Sequence, residues 1–409
     1  MSQLKYWVWL SSLSGVGAVT AAALLRHFKT PESVYLASES DFGQVEGIRK
    51  TDIAGLVRKD ITTADKIIAS CAKIGCRVLT LQDAEYPDRL KNIYDPPITL
   101  YVRGNLPIID EEPVVAMVGT RTCTPYGIKA AENISFQLAR KGLIVTTGLA
   151  RGIDSAAARG AMRGGGRVIG VIGSGLDIVY PPENKELFAS VINSGVIISE
   201  YPPGIAPTPA HFPARNRILS GISLGTVVIE APKKSGALIT ATRALEQGRD
   251  VFAIPGNVDA RSSVGSNLLI REGAIPILSA DDIVNEYADL FPDKIHSPDD
   301  KSTTPTPPNK TVERQPQQRS SGSETRTEGK RVNDSAQGQG SAETENGRDL
   351  SALTGDEKTV AEIITNSALL VDDIIVKSGL PAHHVLTALT LLEIKGYTTR
   401  SAGLWAIVD

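Results

Sequence analysis

Several chemistries are missing from this 409-residue chain. No Gly-Lys-Ser or Gly-Lys-Thr occurs, which excludes the ATP-binding loop whose lysine and hydroxyl hold phosphate and magnesium. Aromatic residues make up only 5% of the chain, so its cores must be aliphatic, and a long base-stacking platform is excluded. The three cysteines, Cys71, Cys76 and Cys123, lack Cys-x-x-Cys spacing. Neither a disulfide framework nor a zinc site is implied, and buried free thiols are expected. No apolar run approaches the ~20 residues of a membrane span, and the first residues offer no cleavage site, so a cytoplasmic protein without membrane insertion is expected. His/Asp clusters with metal spacing are also missing, and His211 is the one histidine of the central region. A lone histidine beside prolines is expected to be structural. No catalytic residue, metal or cofactor is therefore assigned.

What is present is an uneven distribution of charge. The whole chain carries −3, yet residues 113–280 hold 17 Lys and Arg against 11 Asp and Glu. Twelve of those 17 are arginines, whose fork matches phosphate oxygens. A basic centre between acidic flanks points to a polyanionic partner.

Four regions follow from pattern and composition. Residues 1–72 read as small and helical, with Gly15-Val16-Gly17 and, more weakly, the turn at Gly47 resembling helix-hairpin-helix units. Arg49, Lys50 and Arg58 are the basic support beside the second turn. Residues 76–290 alternate apolar runs with helical spacing. Strands are expected at 114–118, 143–147, 168–172, 195–199, 226–230, 250–254 and 275–278, with an extra strand or two within 76–106. A helix over 127–141 carries Ile128, Ala131, Ile134 and Leu138 on one face and stops at Gly142. Strands apolar on both faces, alternating with helices, predict a doubly wound, mainly parallel Rossmann-like α/β sheet. Residues 291–349 are rich in Ser, Thr, Pro, Gln, Gly and charge without periodicity, and are expected to be a disordered linker. Residues 350–409 predict three helices and a hairpin around Ala402-Gly403, a winged-helix shape. Its net charge is −3, which favours protein docking over reading a DNA groove.

Ligands on such sheets sit beyond the carboxyl ends of the strands. After the first run, "GTRTCTPYG" offers Gly119 for close approach, the Thr120 and Thr124 hydroxyls and the Arg121 fork. "GLARGIDS" places Gly148, Arg151 and Gly152 in a strand-to-helix turn suited to an anion, with Asp154 or Ser155 as cap. "GSGLD" puts Gly173, Ser174 and Gly175 in a tight turn that imitates a dinucleotide fingerprint without its third glycine. "FPARNRILSG" carries Arg215, Asn216 and Arg217, and "EAPKKSG" carries Lys233, Lys234, Ser235 and Gly236. Glu230, at a strand end, is the best acid/base candidate, although an ion pair with Arg215 or Arg217 is the expected role.

Together with "YPDRLKNIYDPPITLYVRGNL", "SEYPPG" and "GSNLLIREGA", these segments resemble, in order over residues 80–280, the DNA-processing protein A (DprA/Smf) family. The resemblance implies a homodimer with an extended Rossmann fold that binds single-stranded DNA without cutting it. It also implies protection of incoming strands during natural transformation, loading of the RecA recombinase, and contact with a single-strand-coating protein. Strand-facing residues would be Gly119, Thr120, Arg121, the 148–152 turn, the 173–175 turn, 215–217, Lys233 and Ser235. The dimer contact would fall at Leu268, Leu269 and Ile270. One position departs from the family: Ala158 stands where a histidine is common. A second reading stays open, that of a Rossmann enzyme hydrolysing a nucleotide N-glycosidic bond with Glu230 as acid/base. No "Pro-Gly-Gly-x-Gly-Thr" loop lies near Glu230 to support it.

Overall fold

A computed structural model describes residues 2–296, 353, 355–365, 369, 371–395, 397–401 and 404–407. Most of the expected linker over 291–349 lies outside the described residues. The chain divides into two compact units, Met1–Pro308 and Asn309–Asp409.

The first unit opens with six helices, α1 (Ser2–Ser12), α2 (Ala18–Phe28), α3 (Pro31–Leu36), α4 (Glu39–Phe42), α5 (Lys50–Val57) and α6 (Thr62–Lys73). They close over Trp9, Leu10, Leu24, Phe42 and Leu56, all fully buried. Gly15 and Gly47 sit at φ +92° and +81°, where a side chain would be strained. In both turns the next residue donates back three positions, Val16 N–H to the Leu13 carbonyl (3.2 Å) and Ile48 N–H to that of Val45 (3.4 Å). The chain thus contains the same hairpin twice. Arg49 joins the two copies: its guanidinium donates to the Gly15 carbonyl (3.1 Å) and to the buried Asp52 carboxylate (2.9 Å). One of the three basic residues expected beside the second turn, Arg49, is therefore engaged within the protein.

A nine-stranded sheet follows. Its strands are β1 (Arg77–Thr80), β2 (Thr99–Gly104), β3 (Val114–Val118), β4 (Ile144–Thr147), β5 (Val168–Ile172), β6 (Val196–Ser199), β7 (Gly225–Val228), β8 (Asp250–Ala253) and β9 (Ile275–Pro276), in the order β1-β2-β6-β5-β4-β3-β7-β8-β9. β1 and β2, the extra strands expected within 76–106, are antiparallel; from β6 to β9 every pairing is parallel. The connecting helices are α7 (Asp88–Lys91), α8 (Pro125–Arg140), α9 (Ile153–Arg163), α10 (Lys185–Ser194), α11 (His211–Gly221), α12 (Gly236–Glu246), α13 (Val264–Arg271) and α14 (Ala280–Tyr287). β3 and β5 are buried along their whole length because both faces are covered, which is why they read as unbroken apolar runs. One face packs on Leu138, Ala157, Phe188 and Ile283, the other on Leu90, Ile218, Ala241 and Leu269. In α8 the buried stripe is Ala131, Ile134 and Leu138, while Ile128 is exposed. Burying a side chain the size of Leu138 contributes about 2 kcal/mol. Ala158 is fully buried in the first of these cores, so the position where the family often carries a histidine is apolar here.

The second unit contains α15 (Asp356–Ile364), α16 (Val371–Ser378), α17 (Ala382–Ile394) and the antiparallel pair β10 (Thr398–Ser401) and β11 (Leu404–Ile407), the expected winged-helix arrangement. Val360, Ile374, Leu389, Leu392 and Trp405 form its core. Near α17, Lys395 pairs with Glu357 (2.6 Å) and His384 with Asp356 (2.5 Å).

Candidate nucleic-acid interface

The order of crossovers reverses beside β3: β4, β5 and β6 extend to one side, and β7 returns to pair on the other. Diverging loops leave a crevice at such a switch point. Here they enclose a cleft of about 570 Å³, bounded by the loop after β3, the first turns of α11 and α12, and the β7–α12 loop.

Of the residues singled out in the sequence, Gly119, Thr120, Arg121, Arg215, Asn216 and Ser235 line this cleft. The Arg121 guanidinium lies 4.8 Å from the Phe212 ring centre. Tyr180 packs beside Phe212, with ring centres 5.6 Å apart. Arg215 is only 5% exposed; its guanidinium donates to the Val171 carbonyl and lies against Gly148, where any Cβ would collide with it. Among the described residues its Nε has no hydrogen-bond partner. Burial lowers its pKa to about 10, opposed by the nearby Asp154. Burial pushes the Asp154 carboxyl above the usual carboxylate range, opposed chiefly by Arg215. At the start of α12, Ser235 caps the helix by accepting from Ala237 N–H (3.3 Å). Gly236 faces open space and Lys234 lines the wall. Three cations, one buried carboxylate, an uncovered helix start and two aromatic rings thus face one cavity. Such a surface suits phosphate with base stacking.

Other expected residues are placed differently. Arg217 points away from the cleft, its Nε donating to Asp95 (3.1 Å) and Nη2 to Glu200 (2.7 Å), which leaves it unavailable to a phosphate. The 148–152 turn already holds an anion of its own. Gly148 N–H donates to the Asp154 carboxylate (3.0 Å) and Leu149 N–H to the Thr147 hydroxyl (2.9 Å). Arg151 is exposed and paired with Glu183. Gly152, at φ +75°, is required because a Cβ would meet the Thr120 carbonyl at 2.5 Å. The 173–175 turn is a latch: Gly175 N–H donates to the Ile205 carbonyl (2.8 Å), the Ser199 hydroxyl to the Ser174 carbonyl (2.8 Å), and His211 Nδ1 meets the Gly173 carbonyl (3.1 Å). Lys233 is exposed but lies outside the cleft, one residue from Lys234, which lines it.

Glu230 is neither an ion-pair partner of the arginines nor a free acid. Its carboxylate accepts from Thr124 N–H (2.9 Å) and the Thr124 hydroxyl (2.6 Å), and a Cβ at Gly127 would strike it. It is the anion that neutralises the start of α8, where a nucleotide phosphate would otherwise sit. Residues 221–225 have the Gly-x-Ser-x-Gly spacing of a nucleophile elbow. However, Ser223 precedes β7, is fully buried and donates to the Leu219 carbonyl (2.8 Å), so it is structural.

Leu269, expected at a dimer face, is 8% exposed and belongs to the sheet core; Leu268 and Ile270 are half-buried. The sequence reading passed over Phe212 and Tyr180. Helical spacing from Arg215 and Leu219 back to position 212 was the available signal.

Residues 77–288 match the profile of the family described as DNA recombination-mediator protein A, and residues 344–403 match the DprA winged helix domain. Protein Smf of Synechocystis is 38% identical over 287 residues, 69% of this chain and 72% of that protein. The DNA processing protein DprA of Streptococcus pneumoniae is 45% identical over 208 residues, 51% of this chain and 73% of that one. The X-ray structure of DprA from the same organism superposes with a TM-score of 0.61 at 36% identity, covering 69% of this chain and 97% of that one. The profile match over residues 77–288, the matching winged helix and the sequence identity agree: the chain belongs to the DNA recombination-mediator protein A family.

Proposed function

We propose that the chain is a non-enzymatic mediator that binds single-stranded DNA in the cleft between the β3 loop and the start of α12. The observation that carries this reading is the arrangement of Arg121 over Phe212, beside the buried Arg215 whose Nε lacks a partner. The exposed Arg121 guanidinium and the start of α12 would hold phosphate oxygens, and a splayed base would stack on the rings. Duplex DNA hides its base faces, so single strands are preferred and sequence matters little at this cleft. The Glu230 carboxylate is held as an acceptor by Thr124 at the start of α8, which tells against the proton-donating role the nucleotide hydrolase requires.

In the same reading the protein acts in the cytoplasm on strands taken up during transformation and delivers them to a RecA-type recombinase. Its parts are a helical segment 1–72, a binding segment 76–290, a linker 291–349 and a winged helix 350–409. The Lys395–Glu357 ion pair and the His384–Asp356 contact fit a winged helix that docks protein. A homodimer formed through Leu268 and Leu278, the latter 85% exposed next to edge strand β9, would link two clefts and raise effective concentration. Fluorescence anisotropy with single- and double-stranded oligonucleotides over a range of salt tests the proposal. Tighter, steeply salt-dependent binding of the single strand is expected. Equal affinity for both forms at moderate salt would refute it.

A further inference from the structure

A second cleft of about 430 Å³ lies on the other side of the β3 loop. Thr124, Tyr126, Glu230, Asn257, Ser262 and Ser263 supply its polar lining, and among the described residues no lysine or arginine contributes. The first cleft has Arg121, Arg215 and Lys234. This contrast excludes phosphate from the second cleft and calls for a neutral group rich in N–H donors. The Glu230 carboxylate in its wall already accepts two bonds from Thr124, which leaves about two of its roughly four lone-pair sites for a ligand. The facing loop is set in advance: Asn267 accepts from Gly256 N–H (3.0 Å) and donates to the Gly256 carbonyl (2.9 Å), while Gly256 fits closely under Ser263. Tyr126, also part of the lining, is 58% exposed, so its ring is available for stacking. The two clefts share the loop after β3, and Thr120 N–H donates to the Glu230 carbonyl (2.8 Å) between them.

We propose that this second cleft is a nucleobase site selective for guanine, with N1–H and the 2-amino group directed at Glu230 and the ring stacked on Tyr126. Guanine presents two adjacent donors to one carboxylate. Adenine and cytosine present a single amino group, and thymine presents one N–H flanked by carbonyls that a carboxylate repels. The base is supplied either by the strand held in the first cleft or by a free nucleoside; the strand form rests on the single-strand reading above.

Anisotropy with a 20-residue oligothymidylate, with and without one central dG, reads the strand form. One bidentate pair is worth about 1–3 kcal/mol, so the dG oligonucleotide is expected to bind at least about fivefold tighter. Tyr126→Ala and, independently, Asn257→Ala are expected to reduce that ratio towards one. Saturation-transfer NMR with guanosine and with thymidine reads the free form, with signal expected for guanosine only and lost in Tyr126→Ala. Guanosine transfer without oligothymidylate binding would support the site and overturn the strand reading of the first cleft. Oligothymidylate binding with no dG preference and no guanosine transfer would overturn this inference alone, as would a dG preference that survives in both variants.

Discussion

Arg121→Ala separates the first cleft's role in binding from its role in stability. The side chain is exposed, and its ring contact with Phe212 is a surface cation–π pair, worth about 0.5–1 kcal/mol. Folding stability should therefore fall by no more than about 1 kcal/mol. A charge-assisted hydrogen bond to phosphate is worth about 1.5–3 kcal/mol, which corresponds to a loss of roughly 10- to 150-fold in affinity for single-stranded DNA. Removing one phosphate contact should also flatten the plot of log affinity against log salt by about 0.7 on a single strand. Anisotropy titrations at four or five salt concentrations, with urea unfolding of the same preparations, measure all three quantities. Wild-type affinity and slope in a folded variant would refute the argument that Arg121 holds phosphate.

Four further outcomes follow from the contacts. Arg217→Ala strands the half-buried Glu200 and Asp95, so urea unfolding should show a loss of about 1–3 kcal/mol, more than Arg121→Ala. Gly127→Ala drives a methyl into the Glu230 carboxylate and should cost about 1–3 kcal/mol by the same assay. Asp52 titrates below its usual 3.8 because Arg49 hydrogen-bonds its carboxylate. A lowered folded-state value means that its stabilisation is present above pH 3.8 and lost as pH falls through the lowered value, an acid loss seen by Trp7 and Trp9 fluorescence and absent in Asp52→Asn. Leu268→Arg should yield a folded monomer with weaker DNA binding in sedimentation and anisotropy, whereas Leu269→Arg should unfold the sheet core in thermal denaturation.

The sheet was legible because its interior strands are covered on both faces, which forces runs such as Val114 to Val118 to be wholly apolar. The duplicated hairpin was legible through Gly15 and Gly47, which a positive φ makes necessary. About half of the cleft was legible because loops at one sheet end gather whatever glycine, hydroxyl or basic residues they carry. Where the placement differs from the expectation, direction is the first reason. Arg215 and Arg217 are two apart on α11, about 200° around the helix axis, so when one faces the cleft the other faces Asp95 and Glu200. Glycines in strand-to-helix turns advertise an anion site but do not say whose anion fills it; Asp154 and Glu230 fill two of them from within. The 173–175 latch depends on Ile205 and Ser199, partners that local pattern does not reveal. Phe212 and Tyr180 were hidden by a low aromatic share, which limits a long platform but not a single stacking site.

The central claim is that a single strand passes over Phe212 between Arg121 and the start of α12. Photocrosslinking an oligonucleotide carrying 5-iodouracil, followed by peptide mass spectrometry, tests it most directly. Adducts are expected on the peptides containing Tyr180 and Phe212, and they should diminish in Arg121→Ala. Adducts confined to residues 1–72 or to the winged helix, with none on those two peptides, would contradict the account.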